Sequence, residues 1–238
     1  TLLVAPPSVL LLIAEAQEKK KININPIKII SVAEVLTNED ENYFKNVFNL
    51  KIIHQAYQCT EGFLGYVCEC GRFHLNEDVI YVEKEYIDKE RFVPIITDFL
   101  RKSQPIIRYR LNDILVEDKE KCPCGSPTML IKKIEGREDD IFIFNGKEDK
   151  EITVFPDFIS RCVIYAQGIR NYKVVQENKE NITIYLDSLD EQIKNQICNE
   201  FNTLAERMRF VCPKINFEKY DFDFARKMKR VERKKQAV

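Results

Sequence analysis

Tyr57-Gln58-Cys59-Thr60-Glu61-Gly62 places an aromatic ring, a hydroxyl and a carboxylate within one short stretch, and these residue types together suit a bound nucleotide. The ring can stack on a base, the Thr60 hydroxyl can bond a phosphoryl oxygen, and the Glu61 carboxylate can hold a hard divalent cation such as magnesium. Two segments downstream fit the same chemistry, Arg108-Tyr109-Arg110-Leu111-Asn112-Asp113 and Glu135-Gly136-Arg137-Glu138-Asp139-Asp140. Asp113 can accept from both hydroxyls of a ribose, and Arg137 can add a charge-assisted contact. Any one of these alone is weak, because a strand-end turn with a capping Thr reads the same way. Arg108 and Arg110 are as readily structural ion-pair partners as ligand contacts. Three segments in order, about 50 and then 25 residues apart, are harder to dismiss.

A second set of chemistry-bearing residues points to a metal. The chain has eight cysteines, and four of them form the close pairs Cys68-Glu69-Cys70 and Cys122-Pro123-Cys124. With no secretory signal visible, such pairs read as metal ligands rather than disulfides. Cys68, His74, Cys122 and Cys124 would make a closed Cys3His tetrahedron, the structural type of zinc site. Spacing alone leaves Cys68 and Cys70 as alternatives, and reduced surface cysteines beside a lone His are the bland reading. Cys162 and Cys198 lie on helical apolar faces and read as core residues, and Cys212 carries no signal. No Ser/His/Asp or Cys/His arrangement is spaced for covalent catalysis, and His54 suits a core position better than a base.

The elements that must position these residues follow from hydrophobic patterning. Residues 27–36 and 48–58 read as two buried parallel strands around a helix near Asn38 to Phe48, a βαβ unit. The short alternating segments at 79–85, 92–97, 106–109 and 113–117 suggest an antiparallel, barrel-like subdomain. From Ile141 the order becomes strand, helix (Pro156 to Ala166), strand (Tyr172 to Glu177), strand (Ile182 to Asp187), long helix (Leu189 to Met208) and strand (Lys214 to Tyr220). This βαββαβ order is the ferredoxin-like plan. Asn178 and Asn181 bracket a hairpin turn, and Ile193, Ile197, Phe201, Leu204 and Met208 form an apolar stripe suited to a core. The fold class is therefore α/β, with a first domain at 1–137 and a small α+β domain at 138–238.

Bulk composition sets limits on the partners. Hydrophobic residues make up 45% and charged residues 32%, which allows both a core and a soluble surface. Lys+Arg 37 against Asp+Glu 38 leaves no global field to attract nucleic acid or anionic lipid. The one basic concentration, Arg226 to Lys235 with seven Lys or Arg, reads as a solvated tail unless it serves a site. The apolar opening of the chain is broken by Pro6-Pro7 and is too short to span a bilayer. A buried strand and a helix capped by Ser8 are expected there, and the expected location is the cytoplasm.

From Val4-Ala5-Pro6-Pro7-Ser8 through the three nucleotide-type segments to the basic C-terminus, the chain resembles adenylate-forming enzymes of the phenylacetate–coenzyme A ligase type. It most resembles their branch linked to capsular polysaccharide loci. The resemblance covers only the later part of such an enzyme and lacks the Ser/Thr/Gly-rich loop that wraps ATP phosphates, so a C-terminal fragment is expected. It implies the C-terminal part of the large AMP-binding domain followed by a small mobile domain. It also implies that Tyr57 lines the adenine region, Thr60 contacts the α-phosphate, Glu61 holds magnesium, and Asp113 and Arg137 grip the nucleotide. Asp139 would be the hinge, with Asp140 as its fallback. The resemblance favours Cys68 over Cys70 for zinc. It makes Lys227 the residue that neutralises charge during adenylation, with Lys229 its rival because Arg226 stands where a Gly is usual. The implied activity is ATP-dependent formation of an acyl-adenylate from a small carboxylic acid, followed by transfer to coenzyme A or a carrier thiol. Neither nucleic acid nor membrane is an expected partner, and a homodimer is compatible. The fragment alone is expected to be inactive. The alternative is a non-catalytic, zinc-containing module that binds a nucleotide or a partner.

Overall fold

The computed structural model describes residues 1–148, 150–166, 169, 171–221 and 229–234. These divide into two compact units, Thr1–Ile134 and Glu135–Val238.

The first unit is built on one ten-stranded sheet among the described residues. Strands β1 (Leu2–Ala5), β2 (Lys28–Val32) and β3 (His54–Cys59) pair in parallel, through α1 (Pro7–Glu18) and α2 (Asn38–Phe48). Both helices follow from their sequences. Leu10, Leu11 and Ala14 form the buried stripe of α1, and Phe44 and Phe48 that of α2. Thr37 caps α2 by accepting from the Asp40 N–H at 3.1 Å, and Asn49 closes it in the left-handed conformation.

Two expectations for this region change. Ser8 does not cap α1: Pro6 holds the cap position and Pro7 the first turn, while the Ser8 N–H and hydroxyl both donate to the Glu34 carboxylate at 3.1 Å. A neighbouring loop thus supplies the anion that the helix N-terminus favours. Strand β1 is an edge strand rather than a buried one. Among the described residues it bonds only to β2, and Leu2 and Val4 are more than half exposed.

Beyond β3 the sheet continues in antiparallel fashion through β4 (Gly62–Val67) and β5 (Phe73–Leu75). Next come β10 (Leu130–Arg137), β9 (Asp113–Asp118), β7 (Arg91–Asp98) and β6 (Ile80–Tyr86), with β8 (Tyr109–Arg110) paired to β7. The antiparallel segments are therefore bonded into the same sheet as the βαβ unit. Strand β4 is hidden in the sequence pattern because Gly62 and Gly65 interrupt the apolar alternation, and β5 because it has only three residues. A core of Leu64, Leu75, Phe92, Ile96, Leu115 and their neighbours packs on this part.

In the second unit, β11 (Phe142–Asn145) and β12 (Glu151–Val154) form a separate antiparallel ribbon. Helix α3 (Pro156–Ile164) follows, then β13 (Tyr172–Asn178), β14 (Asn181–Leu186), α4 (Glu191–Met208), β15 (Lys214–Lys219) and β16 (Val231–Arg233). The four-stranded sheet has the order β15-β14-β13-β16. This corrects the ferredoxin-like expectation, in which β11 would lie inside the sheet. Strand β11 instead turns back onto β12, and the free edge of β13 is taken by β16, whose pairing is parallel. The stripe of α4 packs as expected, with Ile197 and Phe201 fully buried against Phe144, Ile184 and Val174. Asp190 caps α4 by accepting from the Gln192 and Ile193 N–H groups.

A buried side-chain amide bridges ribbon and sheet. Gln176 is 2% exposed, accepts from the Ile143 N–H at 3.0 Å and donates to the Ile143 carbonyl at 2.7 Å. Its amide does the work of a missing strand partner. Gln176→Leu keeps the volume but orphans both groups, and a buried unsatisfied group costs about 1–3 kcal/mol. The expected outcome is a loss of about 2–4 kcal/mol, read as a fall in the urea unfolding midpoint with an unchanged slope.

Candidate functional site

The carboxyl end of β3 is where residues of the first nucleotide-type segment meet those of the second. A register shift between Tyr57 and Gln58 re-aims the strand at this point. The Tyr57 ring is buried, and its hydroxyl donates to Asp113 Oδ2 at 2.6 Å. Tyr57 stands opposite Gly65 on β4, and only glycine fits there: a Cβ would lie 2.6 Å from the His74 carbonyl oxygen and 3.1 Å from the Phe73 ring. The β4–β5 pair can therefore close tightly behind Tyr57.

Thr60 and Glu61 form the turn into β4, with Thr60 exposed and Glu61 half-buried. Burial pulls the Glu61 carboxyl up, but hydrogen bonds from the Cys59 thiol, the backbone and the Tyr109 hydroxyl, with the nearby Arg101 charge, outweigh it. The net effect holds the group below the usual carboxylate range. Glu61 is thus held as an anion in a turn at the end of a strand, where a hard cation could be bound. The cost falls on Cys59, whose thiol is pushed up to about 11 by burial and by Glu61.

The remaining nucleotide-type residues are less uniform. Arg108 and Arg110 both sit in exposed ion pairs: Arg108 makes a two-point pair with Glu83 at 2.9 and 3.0 Å, and Arg110 pairs with Glu85 at 2.7 Å. Arg137 ends β10 and is exposed in the second unit. Asp139 and Asp140 share the 3-10 turn Glu138–Asp140 and differ sharply. Asp139 is exposed, whereas Asp140 is buried and lies 2.7 Å from the Lys229 ammonium. Burial pushes the Asp140 carboxyl up against the opposing pull of Lys229. Lys227 and Arg226 lie outside the described residues.

The cysteine and histidine residues converge. Ligand atoms of Cys68, His74, Cys122 and Cys124 all lie within 4.8 Å of one another. Sγ of Cys68 is 3.6 Å from Sγ of Cys122, and Sγ of Cys124 is 3.4 Å from Nε2 of His74. A tetrahedron with metal–sulfur bonds of about 2.3 Å has sulfur–sulfur edges of about 3.8 Å, so the spacing fits a zinc-sized ion. Cys70 is exposed and is not among the four.

Two tight turns bring the thiols in. Cys68 O accepts from the Gly71 N–H and Cys122 O from the Gly125 N–H, with both glycines at positive φ. Arg72 in the first loop ties to Asp118 and Glu120 beside the second at 2.5 and 3.0 Å. His74 is fully buried on β5, and burial keeps its imidazole neutral to a lower pH than usual. Its Nδ1 lies 2.8 Å from the Thr128 hydroxyl, a contact that orients the ring with Nε2 facing Cys124. The backbone N–H groups around Cys68 outweigh its burial and draw its thiol down, whereas burial pushes Cys122 up to about 12.

His54 is a core residue, as expected. It is buried on β3 with Nδ1 2.9 Å from the Val67 carbonyl oxygen. The sequence reading did not mark Arg101, whose guanidinium donates to the Thr60 carbonyl oxygen, and gave Tyr109 no role of its own. Only the placement of the β7–β8 connection reveals them.

No family model and no curated protein sequence matches the chain. Solved structures do. The chain aligns with 2-hydroxyisobutyryl-CoA ligase in the postadenylation state at a TM-score of 0.73 and 16% identity, covering 96% of this chain and 53% of that one. It aligns with the anthranilate CoA ligase AuaEII in complex with anthranoyl-AMP at a TM-score of 0.62 and 12% identity, covering 92% and 46%. The amide bond synthetase McbA from Marinactinospora thermotolerans gives a TM-score of 0.64 at 9% identity, covering 92% and 48%. The fold is therefore that of adenylate-forming ligases, and the chain spans about half the length of the structures it matches. Among the described residues no helix is long and apolar enough to cross a membrane.

With its thiol at about 11, Cys59 should be about one part in a thousand thiolate at pH 8. Iodoacetamide labelling read by mass spectrometry is expected to reach exposed Cys70 first and to leave Cys59 nearly unmodified until the pH approaches 11. Fast Cys59 labelling at pH 8 would show that the thiol is neither buried nor beside an anionic Glu61.

Proposed function

We propose that the chain is part of an AMP-forming acid–thiol ligase. Such an enzyme activates a small carboxylic acid as an acyl-adenylate with release of pyrophosphate and passes the acyl group to coenzyme A or another thiol. The observation that carries this reading is the Tyr57–Asp113 hydrogen bond, with Thr60 and Glu61 in the next turn. Residues from two separate segments thereby present a ring, a carboxylate pair and a hydroxyl at one strand end, where ligands bind in open α/β sheets. The fold shared with CoA ligases and an amide bond synthetase supports the same conclusion.

In this reading Tyr57 lines the adenine region, Asp113 accepts from the ribose hydroxyls, Thr60 bonds the α-phosphate and Glu61 holds magnesium. Arg137 adds a charge-assisted contact, and Asp139 is the hinge, since its neighbour Asp140 is tied down by Lys229. Lys227 supplies the positive charge for adenylation. Residues 1–137 belong to the large AMP-binding domain and 138–238 to the small C-terminal one. The phenylacetate–CoA ligase type, in its capsular polysaccharide branch, is the relationship that the sequence favours.

The test is Mg²⁺-dependent AMP binding by calorimetry and ATP–pyrophosphate exchange in the longest reading frame that contains this chain. Asp113→Ala should weaken AMP binding at least tenfold, the scale of lost charged hydrogen bonds. Lys227→Ala should slow exchange by about two to three orders of magnitude, the cost of one transition-state contact, while leaving AMP binding intact. AMP binding without exchange for any aryl or short organic acid would favour a non-catalytic binding module. Absence of both would sink the ligase reading.

Cys68, His74, Cys122 and Cys124 hold one structural zinc in this proposal. Elemental analysis of the purified chain should find about one zinc, and Cys122→Ser or His74→Ala should lose it while Cys70→Ser keeps it. A folded chain free of metal would end this part of the proposal without touching the nucleotide site.

A further inference from the structure

The connection between β9 and β10 supplies more to the cysteine–histidine cluster than its two thiols. Besides Cys122 and Cys124 it carries Ser126 and Thr128, which reach the Nδ1 side of the His74 ring. Thr128 Oγ1 lies 2.8 Å from His74 Nδ1 and 2.9 Å from Ser126 Oγ. The Thr128 N–H also donates to Ser126 Oγ, at 3.4 Å.

Backbone pairing fixes this placement. Leu130 stands opposite His74 where β10 meets β5. The Leu75 N–H donates to the Met129 carbonyl at 2.8 Å, and the Met129 N–H donates to the Glu77 carboxylate at 2.6 Å. On the face of the imidazole, Tyr66 stacks at a centroid distance of 5.9 Å and an interplanar angle of 19°. His74 is therefore held by its face and by its edge, with Nε2 turned to Cys124.

We propose that Thr128 is a positioning residue for the metal, its hydroxyl accepting from His74 Nδ1–H while Nε2 serves as the ligand, with Ser126 accepting from Thr128 in turn. The inference rests on the reading of Cys68, His74, Cys122 and Cys124 as a zinc site.

The chemistry sets the direction of this chain. A neutral imidazole that gives its Nε2 lone pair to a cation keeps its one proton on Nδ1. His74 is fully buried, so that proton needs an acceptor inside the protein. A hydroxyl accepts and donates at once: Thr128 takes the ring proton and turns its own hydrogen to Ser126 Oγ. The charge also fits. Three thiolates already outweigh a divalent ion, and a neutral hydroxyl orients the ring without adding the further negative charge that a carboxylate would bring. A role confined to the turn would use only the Thr128 N–H and Ser126 Oγ, and the Thr128 hydroxyl would then have no consequence for the metal.

The experiment measures the zinc affinity of the whole 238-residue chain at fixed pH, by competition with a chromophoric chelator. Thr128→Val removes the hydroxyl and keeps the volume. It is expected to weaken zinc binding about 10–100-fold, the scale of losing the outer partner of a ligating His. Thr128→Ser should restore most of the affinity, and Ser126→Ala should cost less than Thr128→Val. Thr203→Val, at an exposed position of α4 in the second unit, is the control and should change nothing. A second reading needs no variant. The chain has only 2 histidines, so 15N NMR of the zinc-loaded wild type can show His74 bound through Nε2 with its proton on Nδ1. Unchanged zinc affinity in Thr128→Val, or zinc bound through Nδ1, overturns the proposal. Should Thr128→Val not fold, the 15N spectrum and Ser126→Ala decide. A wild-type chain that takes up no zinc ends the metal reading and this inference with it, whereas tight zinc in both wild type and Thr128→Val ends this inference alone.

Discussion

Strand β3 bonds to β2 in parallel on one edge and to β4 in antiparallel fashion on the other, and both candidate sites depend on that change of direction. A parallel strand delivers its carboxyl end to the edge of the sheet, which is where Tyr57, Thr60 and Glu61 emerge. The antiparallel return through β4 and β5 needs the short turn at 60–61, which fixes a hydroxyl and a carboxylate side by side. It also places His74 one strand further along, behind Gly65. A side chain at residue 65 would push the β5 backbone away from β4. That would disturb the wall behind Tyr57 and the metal-type cluster together.

Much of this was legible from the sequence because local signals agreed with the tertiary result. Helix α2 was placed by Thr37 at its cap and by Phe44 and Phe48 on one face. Helix α4 was placed by its apolar stripe, and β13 and β14 by the Asn178–Asn181 turn. The four metal-type residues were legible because few roles other than a metal site bring soft ligands together in pairs, and the residue that converges with His74, Cys122 and Cys124 is Cys68 and not Cys70. The errors came where a non-local partner decided. Ser8 meets Glu34 from another loop, β16 takes an edge that sequence order assigns to no strand, and Gln176 stands in for backbone. Arg101 was invisible for the same reason, since nothing near it in sequence marks the turn it reaches.

The adjacent carboxylates Asp139 and Asp140 show how one backbone turn assigns opposite roles. Asp140 is turned inward and is worth keeping ionised only while Lys229 is beside it. A buried carboxylate without its partner costs several kcal/mol. Asp139 is turned outward and is exposed. The difference between the two is therefore one of burial, which ties the ionisation of Asp140, and not that of Asp139, to the Lys229 ammonium.

The Cys3His cluster raises the question of whether the protein shapes the metal site or a metal would shape the protein. Arg72 ties the two loops through Asp118 and Glu120, but partly exposed pairs of this kind contribute about 0.2–1 kcal/mol each. Against that stand thiols held 3.6 Å apart, one of them driven up to about 12 by burial. Structural zinc contributes about 10–16 kcal/mol in small domains at neutral pH, far more than the ion pairs can. The salt bridges and glycine turns therefore set the register of the loops, and a bound ion would set their stability. The β4–β5 turn and the β9–β10 connection contribute to the same cluster of four residues, so an ion bound there would tie both together rather than one at a time.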